Sequence, residues 1–271
     1  MGFTFVDHIS AIDAERARGR IHRAEGAPPL PPWLVIEAIG QLAAWIAIRR
    51  TDFQSRPVAA LVGEARVSSA AVGGIVELEA RIDRFDGRAV LYSGEARIAG
   101  AEVAALARSV GPMLPMDGFD DRAAVRQRFE VLCAAGSPSE PRDIEVPRVV
   151  LSALDVRGGS AHAQLRVPTT ASFFAEHFPH RPVYPATLLV DGLNQLAMPV
   201  SANALGIAPE SVRLTRMTNF KVRAFSPPGQ VLDLTAEARP ADVCVAMSAA
   251  ADGKRVASCL LEHRATSAPA R

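Results

Sequence analysis

The sequence predicts an α+β protein in which one module, a long apolar helix set against an antiparallel sheet, is built twice. Three observations predict it. A helix-like segment recurs at a fixed offset, strand-like runs of similar layout follow each copy, and a stretch rich in charge and then in Ser, Pro and Gly separates the two.

The repeated helix comes first. PPWLVIEAIGQLA, from Pro31 to Ala43, returns as PATLLVDGLNQLA, from Pro185 to Ala197. Pro31 aligns with Pro185, Leu34 with Leu188, Glu37 with Asp191, and Gln41-Leu42-Ala43 with Gln195-Leu196-Ala197, all at one constant offset. Apolar character alone would not place the polar residues so consistently. The most apolar run, Trp33 to Ile48, contains Glu37 and Gln41. It is also shorter than the roughly 20 residues that cross a bilayer, so it reads as a helix buried in protein.

The strands follow each helix in the same sequence. In the first half they are GEARVSS, GGIVELEARI, AVLYSGEARI and EVAALARSV; in the second they are TNFKVRA, PPGQVLDLTAEA, DVCVAMSAAA and KRVASCLLEH. Apolar and polar residues alternate through much of these runs, with Gly87, Gly100, Gly229 and Asp252-Gly253 placed as turn residues. FTFVDHISAID supplies a short strand ahead of the first helix. Between the modules, DGFDDRAAVRQRFEVLCAAGSPSEPRD predicts a short amphipathic helix at about Asp121 to Ala135 and then a flexible link. The expected domains are therefore 1–116, a connector over 117–144, and 145–271.

Composition narrows the function. Of 271 residues, 49% are hydrophobic and 22% charged, enough for two cores. Lys plus Arg number 30 and Asp plus Glu 29, so no net field favours nucleic acid or an anionic membrane. Cys133, Cys244 and Cys259 lack metal-ligand spacing and suit free thiols in a reducing cytoplasm. MGFTFVDHISAID has neither a basic start nor a continuous apolar run, so no secretory leader is expected there and the location expected is cytoplasmic. There is no Gly-x-Ser-x-Gly elbow, no Gly-rich phosphate loop ending in Lys and no metal-spaced cluster; neither cofactor nor metal is implied.

Immediately before the second helix the chain reads His177-Phe178-Pro179-His180-Arg181-Pro182-Val183-Tyr184-Pro185-Ala186. This resembles the His-Phe-Pro-Gly-x-Pro-Val-x-Pro-Gly signature of the β-hydroxyacyl-acyl carrier protein dehydratases, with His180 and Ala186 in place of two glycines. Asp191 and Gln195 fall on that family's acid and glutamine. The resemblance, weaker over the rest of the chain, implies hotdog folds paired as a double hotdog within one chain, with a site between them that draws its histidine from one and its acid from the other. At the first helix the acid position holds Glu37, while the histidine position holds Arg23, next to His22. One crossed site would then join His177 to Glu37, and the other Arg23 to Asp191.

Dehydration of a β-hydroxyacyl thioester needs a base for the proton beside the carbonyl, an acid for the departing hydroxyl, and a donor to the enolate-like oxygen. His177, with an ordinary pKa of about 6.5, is the candidate base. The resemblance implies that the Val183 carbonyl fixes its tautomer. Glu37, on an apolar helix, is the candidate acid, and Gln41, one turn on, can hold its carboxyl. The Ala186 N–H, at the start of the second helix, is the candidate oxyanion donor. Gln195 stands to Asp191 as Gln41 does to Glu37, and Asp191 facing Arg23 reads either as a second acid or as a charge pair. His180, Tyr184 and Arg23 are candidate substrate-binding residues, with a spacer for His180 and plain packing for Tyr184 as the alternatives. Arg213, Arg216, Lys221 and Arg223 offer a docking face for an acidic acyl carrier protein or a coenzyme A phosphate, or simply a solvated face. The expected product is a 2-enoyl thioester in a fatty acid, polyketide or polyene-type pathway. Two other readings stay open: a hotdog thioesterase, which needs no histidine in this frame, and a non-catalytic acyl-binding partner. A further homodimer is compatible with either.

Overall fold

The computed structural model describes residues 3–24, 30–68, 74–134, 147–239 and 244–266. The chain divides into two compact units, Met1–Val146 with Thr170–Val183, and Pro147–Thr169 with Tyr184–Arg271.

The first unit contains β1 (His8–Ile12), β2 (Arg16–His22), α1 (Pro32–Arg50), β3 (Ser55–Pro57), β4 (Leu61–Val67), β5 (Ile75–Phe85), β6 (Ala89–Ile98), β7 (Ala101–Pro115) and α2 (Arg122–Cys133). Its antiparallel sheet runs β1-β2-β5-β6-β7-β4, with the short β3 on β7. Strand alternation is visible in β5, where Val76, Leu78, Ala80 and Ile82 face inward and their neighbours outward. α1 starts on Pro32, whose missing N–H costs nothing in the first turn. Leu34, Val35, Ala38, Ile39, Leu42, Ala43 and Ile46 are all buried, which leaves the helix no solvated stripe and seats it in the curve of the sheet. By length and composition α1 could cross a membrane; here more than half of it is covered by its own unit's strands.

Close approach of helix to sheet is set by Gly94 on β6. A Cβ there would lie 2.5 Å from both the Glu79 carbonyl and Ile39 Cγ2. Only glycine lets α1 sit this low, and α1 carries Glu37.

The second unit contains β8 (Leu151–Arg157), β9 (Ser160–Arg166), α3 (Ala186–Leu205), β10 (Val212–Val222), β11 (Val231–Arg239), β12 (Cys244–Ala251) and β13 (Lys254–Ala265). Its sheet order, β8-β9-β11-β12-β13-β10, is the order of the first unit renumbered. The sequence repeat is thus a topological repeat: each unit is a hotdog, an antiparallel sheet around one central helix. α3 ends at Gly206, whose left-handed φ of 66° caps the last turn.

One boundary departs from the sequence halves. Thr170–Val183, which the sequence groups with the second module, packs with the first unit. The reason is aromatic: Phe173 meets Phe3 at 6.0 Å between ring centroids, and Phe178 meets Phe119 edge-on at 5.1 Å. The connector helix α2 forms where expected, capped by Asp121 accepting from the Ala124 N–H.

Candidate active site

The loop carrying His177 is built from a short 3-10 turn, Ser172–Ala175, with Phe173 and Phe174 buried. The His177 N–H donates to the Phe173 carbonyl at 2.8 Å, and the Arg181 N–H to the Phe178 carbonyl at 2.8 Å. Phe178 lies at φ 64°, a left-handed conformation that costs a bulky residue about 1–2 kcal/mol. Contacts of its ring offset that cost: His177 at 4.3 Å, Phe119 at 5.1 Å, and the Arg56 guanidinium at 4.2 Å over the ring face.

His177 Nδ1 lies 3.3 Å from the Val183 carbonyl oxygen. A carbonyl only accepts, so the proton belongs on Nδ1 and Nε2 keeps its lone pair. The Phe3 ring stands edge-on to the imidazole at 5.3 Å, and Phe178 covers it from another side. Burial in this aromatic wall, and then the charge of Arg56, push the imidazole pKa down to about 3, against an opposing pull from the Val183 carbonyl. His177 is neutral throughout the physiological range.

Glu37 belongs to the same unit. Gln41 Nε2 donates to Glu37 Oε1 at 3.1 Å and to the Phe3 carbonyl at 2.9 Å, while Gln41 Oε1 accepts from the Phe5 N–H at 2.9 Å. One amide thus ties the carboxylate to the N-terminal segment whose Phe3 ring lies on His177. The Glu37 charge also acts on Arg56 and on Tyr92, a buried phenol.

Arg56, Asp120 and Arg128 form a charged group that sequence reasoning missed. Asp120 is buried; its Oδ2 lies 4.0 Å from Arg56 Nη1 and is paired with Arg128 of α2. The Arg56 side chain is 18% exposed, and burial pulls its pKa down to about 10, still well on the charged side at neutrality. An arginine in FQSRPVAA, just ahead of the apolar Pro57-Val58-Ala59-Ala60, was the one local signal.

Other candidates are spread differently. His180 is exposed, with Nδ1 3.1 Å from the Asp117 carbonyl and its N–H donating to the Phe119 carbonyl at 3.0 Å, so it staples the loop. Arg23 is buried and its N–H donates to the Gly74 carbonyl at 3.1 Å. In the second unit Ala186 is the first residue of α3, where no side chain caps the free amides. Asp191 is buried on α3; desolvation raises its pKa to about 6 against a hydrogen bond from Gln195, which also donates to the Val149 carbonyl at 3.3 Å. Tyr184 lies near enough for the Asp191 charge to push its phenol further up, beyond the effect of burial. On β10, Arg213, Arg216 and Lys221 pair with Arg264, Glu262 and Ser258, alternate positions of β13, and so share one face. Bulges at Leu214/Arg216 and Thr218/Lys221 keep them in phase; Arg216 is bonded to Glu262 at 2.8 Å and Arg223 to Ser258 at 3.0 Å. Among the described residues, no group of three or more His, Cys, Asp or Glu side chains is arranged to hold a metal.

Residues 154–259 match the family model of the ApeI-like dehydratases, described as ApeI dehydratase. The chain is a double hotdog, and the matched stretch lies within its second half. A search of the curated proteins finds no match. Among solved structures, the double hotdog is similar to the dehydratase domain from the CurK module of curacin polyketide synthase, with TM-score 0.57 and 9% identity over 99% of this chain and 100% of that one. The CurF dehydratase domain gives TM-score 0.55 and 10% identity, over 98% and 100%. An acyl-ACP thioesterase from Bacteroides thetaiotaomicron gives TM-score 0.58 and 11% identity, over 92% and 98%. The double-hotdog fold is common to both kinds of enzyme, so the choice of reaction falls to the site.

Proposed function

We propose that the protein eliminates water from β-hydroxyacyl thioesters, giving 2-enoyl thioesters. His177 Nε2 takes the proton from the carbon beside the thioester carbonyl. That C–H electron pair becomes the new carbon–carbon double bond as the β-carbon–oxygen bond breaks, and Glu37, entering the cycle as the protonated acid, gives its proton to the departing hydroxyl, which leaves as water. The carrier is an acyl carrier protein, whose acidity suits the cationic face of β10.

The observation that carries this reading is the Gln41 tie. It holds Glu37 and, through Phe3, meets an imidazole whose Nδ1 is engaged by the Val183 carbonyl and whose Nε2 is left as a base. The His177 frame favours elimination over hydrolysis, because it matches the dehydratase signature residue by residue outside the two glycine positions.

The test is to incubate the purified protein with a β-hydroxyacyl thioester and its 2-enoyl counterpart while following enoyl absorbance and free thiol separately. Interconversion without thiol release is expected. Thiol release would make the protein a thioesterase, and absence of both signals an acyl-binding partner.

A further inference from the structure

Three planar groups are stacked in the first unit. The His177 imidazole lies on the Phe178 ring with centroids 4.3 Å apart and planes 32° from parallel; the Arg56 guanidinium lies 4.2 Å from the centroid of that same ring. Arg56 is held by Asp120, and Asp120 by Arg128 on α2, the helix that sequence alone reads as a mere connector. Phe119, adjacent to Asp120, meets Phe178 edge-on, and the Arg181 guanidinium lies 5.9 Å from the centre of the Phe119 ring.

We propose that Arg56, anchored through Asp120 to Arg128 of the connector helix, is a positioning residue that fixes the His177 imidazole by clamping Phe178 between them. The inference rests on the dehydratase reading only for its kinetic consequence. Phe178 sits in a left-handed conformation that an aromatic residue rarely adopts, so something must hold its ring in place. A cation on the ring face does so, and a cation kept from full hydration does so more strongly. Because Phe178 is covalently next to His177 and packs on its ring, a change in the Phe178 backbone turns the imidazole away from its Val183 partner, and a displaced Phe178 ring leaves it unsupported.

The same arrangement has an electrostatic effect. The charged and titratable groups around the stack are Arg56 on β3, Glu37 on α1, Asp120 with Arg128 at α2, and Glu176, His180 and Arg181 on the loop itself. Glu176 is hydrogen-bonded to Thr4 at 3.2 Å and His180 to backbone. Of these, Arg56 is the one whose charge opposes protonation of His177.

The experiment compares wild type, Arg56→Gln, Arg56→Lys and Arg128→Gln. Three quantities are read: the ¹⁵N titration of the His177 ring, steady-state kinetics on a 2-enoyl thioester, and thermal melting. In Arg56→Gln the pH midpoint of His177 should rise by about one unit as a like charge leaves. Its kcat should fall about ten- to a hundredfold with KM little changed, as expected for a displaced catalytic group. Arg56→Lys, which keeps the charge but loses the planar fork, should restore the titration more than kcat. Arg128→Gln changes only the exposed end of the chain of contacts and should move both readouts less, in the same direction. This variant decides the question if Arg56→Gln fails to fold. A wild-type titration together with wild-type kcat in Arg56→Gln, or in Arg128→Gln when the first is unfolded, overturns the proposal. A shifted titration in a protein without enoyl or hydroxyacyl turnover supports the clamp and sinks the dehydratase reading alone.

Discussion

Gln41 donates to Glu37 from one helical turn away, at 3.1 Å, and spends its two other hydrogen bonds on the backbone of Phe3 and Phe5. One side chain thereby sets both the carboxyl group and the strand-like segment that walls the imidazole. Replacing it with leucine keeps the volume and removes all three bonds. The expected loss is about 1–3 kcal/mol of stability, from amide and carbonyl groups left unpaired in a partly buried place. Denaturant melts and hydrogen exchange at the Phe5 N–H check this; unchanged protection of that amide would refute it.

Glu37→Gln and His177→Ala should each lower turnover of a 2-enoyl thioester by at least about a hundredfold, the usual worth of a positioned proton donor or base. The melting temperature of Glu37→Gln should change little, since that side chain is only partly buried. Asp191→Asn should have a smaller effect on rate. Loss of activity in Asp191→Asn with full activity in Glu37→Gln would exchange the roles of the two acids.

Stability should fall on the acid side of neutrality. His177 and His263 have folded-state pKa values of about 3 and about 4, both below the ordinary value of about 6.5. His263 is locked between Asn194 at 2.9 Å and Ser201 at 3.0 Å inside the second unit. The unfolded chain therefore binds more protons between pH 6.5 and those values, so stability is complete above pH 6.5 and drains away as pH drops. Urea melts at pH 7.5 and pH 5 should differ by up to about 2 kcal/mol for His263 alone. His263→Gln should flatten that part of the dependence.

Asp191 works in the opposite sense. Its pKa is raised to about 6 in the folded state, so the folded protein holds the extra proton, and stability is lost as pH rises through 6. Asp191→Asn should therefore raise stability at pH 8 by about 1 kcal/mol and leave it unchanged at pH 4, as read by melts at the two pH values.

Gly94→Ala should be among the most damaging single changes in the first unit. The new methyl would meet backbone at Glu79 and the Ile39 side chain, and overpacking of this kind costs about 1–3 kcal/mol. A melting temperature equal to wild type would show that α1 can lift from the sheet at no cost.

The fold could be read in the chain because the constraint was written twice. The matched spacing of Pro31, Glu37 and Gln41 with Pro185, Asp191 and Gln195 marks two equivalent helices, and the two strand orders agree to the last position. His177, Val183, Glu37 and Gln41 were legible as local motif and helical spacing, both short-range features. Arg56 and Asp120 were not, because their meaning depends on a guanidinium meeting the ring of Phe178 far along the chain. The grouping of Thr170–Val183 with the first unit was hidden for the same reason: it is decided by where Phe3 and Phe119 present their rings, which no period in the sequence encodes.

That borrowed loop bears on how the gene can be rearranged. A break in the connector beyond α2 would yield an N-terminal fragment with its helix acid but no imidazole, and a C-terminal fragment with the imidazole on a loop stripped of its aromatic seat. Neither fragment alone then keeps the imidazole in its aromatic seat, and truncation libraries should recover turnover only when both pieces are expressed together.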